Sequence, residues 1–236
     1  ADMKAGLSLI LAGLQAYETT GPALGYDVLI NSDEETGSKS SAALIAQLAD
    51  GKIAALTFEP ALPDGSMARA RSGSGNYAAI VAGRSAHAGR NPQDGRNAIV
   101  AAADLALRLK RDCPDGSTLN PARIDGGGPN NAVPDLAILH FNVRSRDPDA
   151  VTAAEAHIRA ALDAVAKEHE VAIGLRGGFG RPPKPIDARA QGLFDVVRQA
   201  AADLGESIDW HDTGGVCDGN NIAATGVPVI DTMGAL

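Results

Sequence analysis

Three neighbouring acids, Asp33, Glu34 and Glu35, stand just ahead of Gly37-Ser38, and two further carboxylates, Asp2 and Glu59, flank other ordered stretches. Adjacent ionised carboxylates repel, so in a cleft they need a cation or a proton among them. Taken alone, the triplet favours a plainer account: an acidic helix start in a solvated loop, which the helix dipole welcomes. Glu59 at the end of a strand and Asp2 before a helix shift the balance. Carboxylates gathered at one edge of one sheet make a site for a hard cation or for two metal ions. His87 lies among Ser85, Ala86, Ala88 and Gly89, small residues that leave room for a ligand to approach; the alternative is a polar loop histidine. Cys217 has no base beside it in sequence and is not read as a nucleophile. His157 and His169 read as solvated residues near a polar helix face, while His140 and His211 stay ambiguous.

Elements must position these groups. Met3, Leu7, Ile10, Leu11 and Leu14 recur at helical spacing and end before Gly21-Pro22. Tyr26 to Asn31 reads as a strand, Ser38 to Ala49 as a helix and Ile53 to Phe58 as another strand. Such alternation predicts a parallel sheet with its acids at the carboxyl ends of the strands, where open α/β sheets build their sites. After Pro63-Asp64-Gly65 the pattern becomes strand 76–83, helix 97–110, strands 119–125 and 135–144, helix 148–168 and strand 171–175. That β-α-β-β-α-β order is ferredoxin-like. Along 135–144, Ala137, Leu139, Phe141 and Val143 point to the helices. Ile138, His140, Asn142 and Arg144 face the uncovered side of the sheet, where a solvated surface is the plain reading of Arg144. Gly177 to Pro185 reads as a stiff return linker, followed by a helix through Leu193 to Leu204 and a strand at Val227 to Asp231. The expected organisation is an α/β domain over 1–70 and 182–236, split by a ferredoxin-like insert at 71–181.

Composition removes several function classes. The chain has 236 residues, 44% of them apolar, enough for a real core, but only 3% aromatic, so Ala, Val, Leu and Ile must fill it. A net charge of −8 without a basic block argues against nucleic acid or an anionic membrane as partner. Two cysteines, Cys113 and Cys217, make no disulfide framework. No stretch is long and apolar enough to span a bilayer and no signal pattern opens the chain, so a cytoplasmic location is expected.

Seven short motifs carry a resemblance. They are Asp2-Met3-Lys4-Ala5-Gly6, Asp33 to Ser38, Phe58-Glu59-Pro60, Gly83 to Gly89, Asn131-Ala132-Val133-Pro134 with Asn142-Val143-Arg144, Gly180-Arg181-Pro182 and Thr213 to Gly219. In this order and spacing the chain resembles the dinuclear zinc aminoacyl hydrolases, which include carboxypeptidase G (glutamate carboxypeptidase), acetylornithine deacetylase and succinyl-diaminopimelate desuccinylase. The resemblance implies a zinc-exopeptidase-like catalytic domain and a lid that also dimerises. It implies that Asp2 bridges two zinc ions, with cobalt or manganese as possible substitutes. Glu35 and Glu59 would complete the carboxylate set, and Glu34 would act as general base. His87 would reach a neighbouring subunit's site and steady the oxyanion. Asn131, Arg144 and Arg181 would bind the substrate's carbonyl and carboxylate, with backbone N–H groups from Gly214 and Gly215.

The resemblance also implies a metal-binding histidine upstream of Asp2 and another after Asp231 to Gly234, and this sequence supplies neither. The expectation is therefore a segment of a longer protein, whose true N-terminus leaves an exported form open. The function expected is a metallopeptidase of the carboxypeptidase type, cleaving an amide beside a free carboxylate. An N-acyl amino acid deacylase is the alternative within that class. From another class comes a truncated, inactive dimerisation or binding module.

Overall fold

A computed structural model describes residues 4–21 and 23–235, so Asp2 lies outside the described residues. The chain forms two compact units, one from the residues up to Ser72 together with Arg181 onward, the other Gly73–Gly180. In chain order the first unit supplies helices α1 (Lys4–Glu18) and α2 (Ala42–Ala49) and strands β1 (Ala55–Leu56) and β2 (Met67–Arg71). Then come β3 (Gly73–Ala82), α3 (Ala98–Arg111), β4 (Ser117–Gly126), β5 (Leu136–Ser145), α4 (Pro148–His169) and β6 (Ala172–Arg181). The chain returns with α5 (Ala188–Asp203), β7 (Trp210–Thr213), α6 (Asp218–Ala223) and β8 (Val229–Ile230).

The inserted unit has the ferredoxin-like arrangement. Its sheet runs β4-β5-β3-β6, and β5 pairs antiparallel with both of its neighbours. Burial alternates along β5 as the pattern requires: Ala137, Leu139, Phe141 and Val143 are buried, while Ile138, His140, Asn142 and Arg144 are half-exposed. Asn97 caps α3 by accepting from the Val100 amide at 3.1 Å, and Asp147 caps α4 through the Ala150 amide at 2.8 Å. Both helices press small and aliphatic residues onto the sheet, Ala98, Ala101, Ala102, Leu105 and Leu109 from α3 and Ala154, Ile158 and Val165 from α4. Each fully buried leucine among them contributes about 1.5–3 kcal/mol. Pro121, which cannot donate to a ladder, sits on the edge strand β4 where the register slips between Pro121 and Arg123.

In the first unit both pairings are parallel, β1 with β8 and β2 with β7. A small core of Met67, Ala190, Phe194 and Ile230 packs beneath α5. Several expectations need correcting. Tyr26 to Asn31 is extended but forms no strand, because no ladder partner lies beside it among the described residues, and Tyr26, Val28 and Ile30 are exposed. The helix expected from Ser38 begins at Ala42, since Ser38 takes φ 53° in a turn that wraps Asp33. The strand expected at 53–58 shortens to Ala55–Leu56.

The stretch read as a linker from Gly177 is strand to Arg181. There Gly177 takes φ +96°, and a Cβ would stand 2.0 Å from the Asn76 carbonyl oxygen. Glycine is required by that close backbone approach. Lys184 then pairs with Arg71 in both directions, at 3.1 and 2.9 Å. The histidines read as solvated are instead half-buried between α3 and α4: His169 meets Asp104 at 2.9 Å and His157 meets the Leu109 carbonyl at 3.3 Å.

Candidate active site

The acidic triplet forms a tight turn. Residues Glu34–Thr36 make one 3-10 turn, closed by Gly37 at φ 93°, and the Ser38 amide donates to the Asp33 carbonyl at 2.8 Å. Each of the three acids has a different environment. Asp33 accepts from the Ser41 hydroxyl at 2.7 Å and from the Ser40 and Ser41 amides at 2.8 and 3.1 Å, which ties the turn to the start of α2. Those bonds, led by the Ser41 hydroxyl, hold its carboxyl at a pKa of about 2. Glu35 is exposed.

Glu34 is half-buried, and burial pushes its carboxyl up despite the Arg181 guanidinium beside it. Glu34 Oε1 and Arg181 Nη1 approach at 2.6 Å, an ion pair outside directed hydrogen-bond geometry. Arg181 Nη2 also donates to the Glu34 carbonyl at 2.7 Å and to the Ser38 hydroxyl at 3.0 Å, and lies 3.7 Å from Asp218. Asp218, in the first turn of α6, accepts from Asn31 at 2.7 Å and from the Ser38 hydroxyl. Glu34, Arg181 and Asp218 thus share one network, which links the acidic turn to α6.

Glu59 follows β1 and is half-buried. The opening helix reaches the same place, because a Cβ on Gly6 would stand 2.7 Å from the Phe58 carbonyl oxygen. Gly234 closes the other side by donating to the Glu59 carbonyl at 2.8 Å. Of the glycine pair expected to offer amides, Gly215 already donates to the Thr213 hydroxyl at 3.2 Å.

Sequence reasoning missed a buried charge cluster in this unit. Asp231, fully buried at the end of β8, receives Arg71 Nε at 2.5 Å and Nη2 at 3.0 Å. Lys184 Nζ lies 3.8 Å away, and the Thr57 hydroxyl and Cys217 thiol donate at 3.1 and 3.2 Å. Burial pushes the Cys217 thiol far above its ordinary range, which fits an inert residue. The only local hint was an aspartate ending an apolar strand; Lys184 amid prolines and Arg71 before Ser72 carried no pattern.

The inserted unit brings His87 and Asn131 together. Val133 donates to the Ala86 carbonyl and Ala88 to the Asn131 carbonyl, both at 2.9 Å, and His87 bridges Ala132. Arg144 stands elsewhere. Its Nε donates to Asn142 at 3.0 Å, and in the ladder it lies opposite Ser74, whereas the end nearest His87 is Ala82 opposite Leu136. Eight residue steps along β3 separate these ends, about 27 Å at the usual strand rise. The three residues expected to act as one group, Asn131, Arg144 and Arg181, are therefore not gathered within a unit: Asn131 goes with His87, and Arg144 lies at the other end of the β3–β5 ladder. Among the described residues, no three of His, Cys, Asp and Glu come together as a metal-binding group.

Residues 69–170 match the family described as the peptidase dimerisation domain, so the ferredoxin-like insert is of that kind. Over almost its whole length the chain is similar to carboxypeptidase G and desuccinylase proteins. It is 30% identical over 242 residues to carboxypeptidase G2 of Pseudomonas sp., covering 99% of this chain and 58% of that protein. It is likewise 30% identical over 238 residues to succinyl-diaminopimelate desuccinylase of Rhodospirillum centenum, covering 92% and 59%. Among solved structures, aminopeptidase PepT of Bacillus cereus superposes with a TM-score of 0.84 at 25% identity, covering 97% of this chain and 61% of that one. The chain thus spans about three fifths of the length of these relatives.

Proposed function

We propose that the protein is a zinc-dependent hydrolase of the carboxypeptidase type, cleaving an amide bond adjacent to a free carboxylate, and that it works as a homodimer through the inserted unit. The observation that carries this reading is Glu34: a half-buried carboxylate, raised by burial and fixed by Arg181, in a turn beside a second acid. Such a group suits a general base that takes a proton from attacking water and returns it to the departing nitrogen. Arg144 and Arg181 have the planar fork that matches a substrate carboxylate.

Glu35 and Glu59, with Asp2 of the opening motif, are hard oxygen donors of the sort a divalent cation takes. Zinc also prefers nitrogen, and the described residues do not converge on a metal by themselves. The described residues of this chain therefore fit two zinc ions incompletely. The separation of His87 from Arg144 supports the dimer. A small substrate spans far less than 27 Å or so, the length of the intervening strand, so one copy cannot offer both residues to it. His87 reaching a neighbour's site resolves the geometry.

The second reading, an N-acyl amino acid deacylase, rests on the equal 30% identity to the desuccinylase. Purified full-length protein assayed on acyl-glutamates and on N-acetyl and N-succinyl amino acids separates the two by kcat/KM, with metal content measured in parallel. Glu34→Gln should lower kcat by about 10²–10⁴. Equal rates for wild type and Glu34→Gln would refute the base assignment. Metal-free protein inactive on every substrate would leave the dimerisation module as the answer.

A further inference from the structure

The loop after β3 does more than carry His87; it sets which ring nitrogen holds the proton. His87 Nδ1 accepts two backbone amides, Gly89 at 3.1 Å and Arg90 at 3.2 Å. A backbone N–H only donates, so Nδ1 must present its lone pair, and the single proton of the neutral ring resides on Nε2. The turn is held from both sides. The Arg90 and Asn91 amides also reach the His87 carbonyl at 3.2 and 3.1 Å, while the pairing of 86–88 with 131–133 fixes the strand side. Gly89 lies against the ring, where a Cβ would stand 3.7 Å from Cε1.

We infer that the Gly89 and Arg90 amides lock neutral His87 as a one-way hydrogen-bond donor through Nε2–H, so the ligand it meets must offer an acceptor oxygen: a carbonyl, a carboxylate or an oxyanion. The same arrangement denies His87 two other roles. Nε2 carries a proton and Nδ1 is occupied, so the ring has no lone pair to give a metal ion or to take a proton from water. Gly89 and Arg90 are thereby positioning residues that act through His87. Only the identity of the acceptor rests on the proposed function; the tautomer belongs to the loop.

The decisive measurement is nitrogen-15 NMR of the histidine side chains in the full chain, at a pH where the rings are neutral. His87 is assigned by loss of its signals in His87→Gln. A synthetic peptide covering residues 84–92 supplies the unlocked mixture of tautomers. The lock requires His87 to show a pyridine-type Nδ1 and a pyrrole-type Nε2 as a single form, shifted away from the peptide. Matching the peptide mixture, or a proton on Nδ1, overturns it, and so does displacement of the Nε2 signal by added zinc. Kinetics of the full-length protein then separate the lock from the catalytic reading. His87→Gln, which keeps an N–H donor near Nε2, should retain at least ten-fold more kcat than His87→Met. A single tautomer with equal kcat for both variants would support the lock and refute the oxyanion role.

Discussion

Replacing Asp231 by asparagine tests the buried cluster most severely. The substitution keeps the shape and one acceptor oxygen but removes the charge that faces Arg71 and Lys184, whose side chains are only 8% and 3% exposed. It also turns an NH2 group toward donors, so the bonds at 2.5 and 3.0 Å from Arg71 cannot both survive. Breaking one partner out of a buried pair costs about 3–5 kcal/mol, because the remaining charge stays desolvated. The single tryptophan, Trp210, packs edge-on to Phe194 at 5.2 Å in the same unit, so its fluorescence in urea follows that unit. At a slope of about 2 kcal/mol per molar, the midpoint should fall by roughly 1.5–2.5 M.

The deficit also has a pH signature. Burial lowers the Lys184 pKa from 10.5, with Asp231 opposing that shift, so the asparagine variant lowers it further. In the window below 10.5 the unfolded chain then binds more protons than the folded one, and stability rises with pH. The variant should therefore regain part of its loss as pH climbs toward 10.5. Removing all three charges together, as Arg71→Met, Lys184→Met and Asp231→Leu, should be less damaging than Asp231→Leu alone. A midpoint shift below about 0.5 M, equivalent to about 1 kcal/mol, would refute the account.

Other consequences are simpler to read. Leu105→Ala empties a fully buried position on α3 and should cost about 2–5 kcal/mol, seen as an earlier loss of helical circular dichroism signal in urea. Gly177→Ala places a Cβ 2.0 Å from a backbone oxygen at φ +96°, and should destabilise the inserted unit by more than about 2 kcal/mol. Carbon-13 NMR of the metal-free chain should find Asp33 titrating at about 2. Its contribution to the turn is present above 3.8 and lost as pH falls toward 2, so an ordinary carboxylate pKa would contradict the hydrogen-bond assignment.

The inserted unit was legible because its elements are long and strictly periodic. Alternation along 137–143 and the aliphatic face of α4 announced both the period and the buried side. The first unit was harder. β1 and β8 fall inside the strands expected at 53–58 and 227–231 but are two residues each, and β2, β7 and α6 gave no run of their own. Gly177 to Gly180 misled because glycine marks flexible linkers and close backbone approaches alike, and only the neighbouring strand tells them apart. Candidate chemistry was visible as residue types, yet not as partnerships. Nothing local says that Arg181 pairs with Glu34, 147 positions away, or that Arg144 and His87 occupy opposite ends of one ladder.

The paired strands β3 and β6 have a bearing on how such a protein is assembled. Gly75 faces Gly178 while Asn76 and Tyr77 face Gly177, in opposite senses, so the first residues of β3 lie beside the last of β6. The chain thus leaves for the insert and comes back at one spot, and just outside that spot Arg71 and Lys184 already form a two-way backbone pair. A short hairpin turn between those two residues would close the seam, with little loop-closure entropy to overcome. The insert is in that sense a cassette: it can be removed, exchanged or permuted at a single doorway without rethreading the paired strands of the unit that carries the acids.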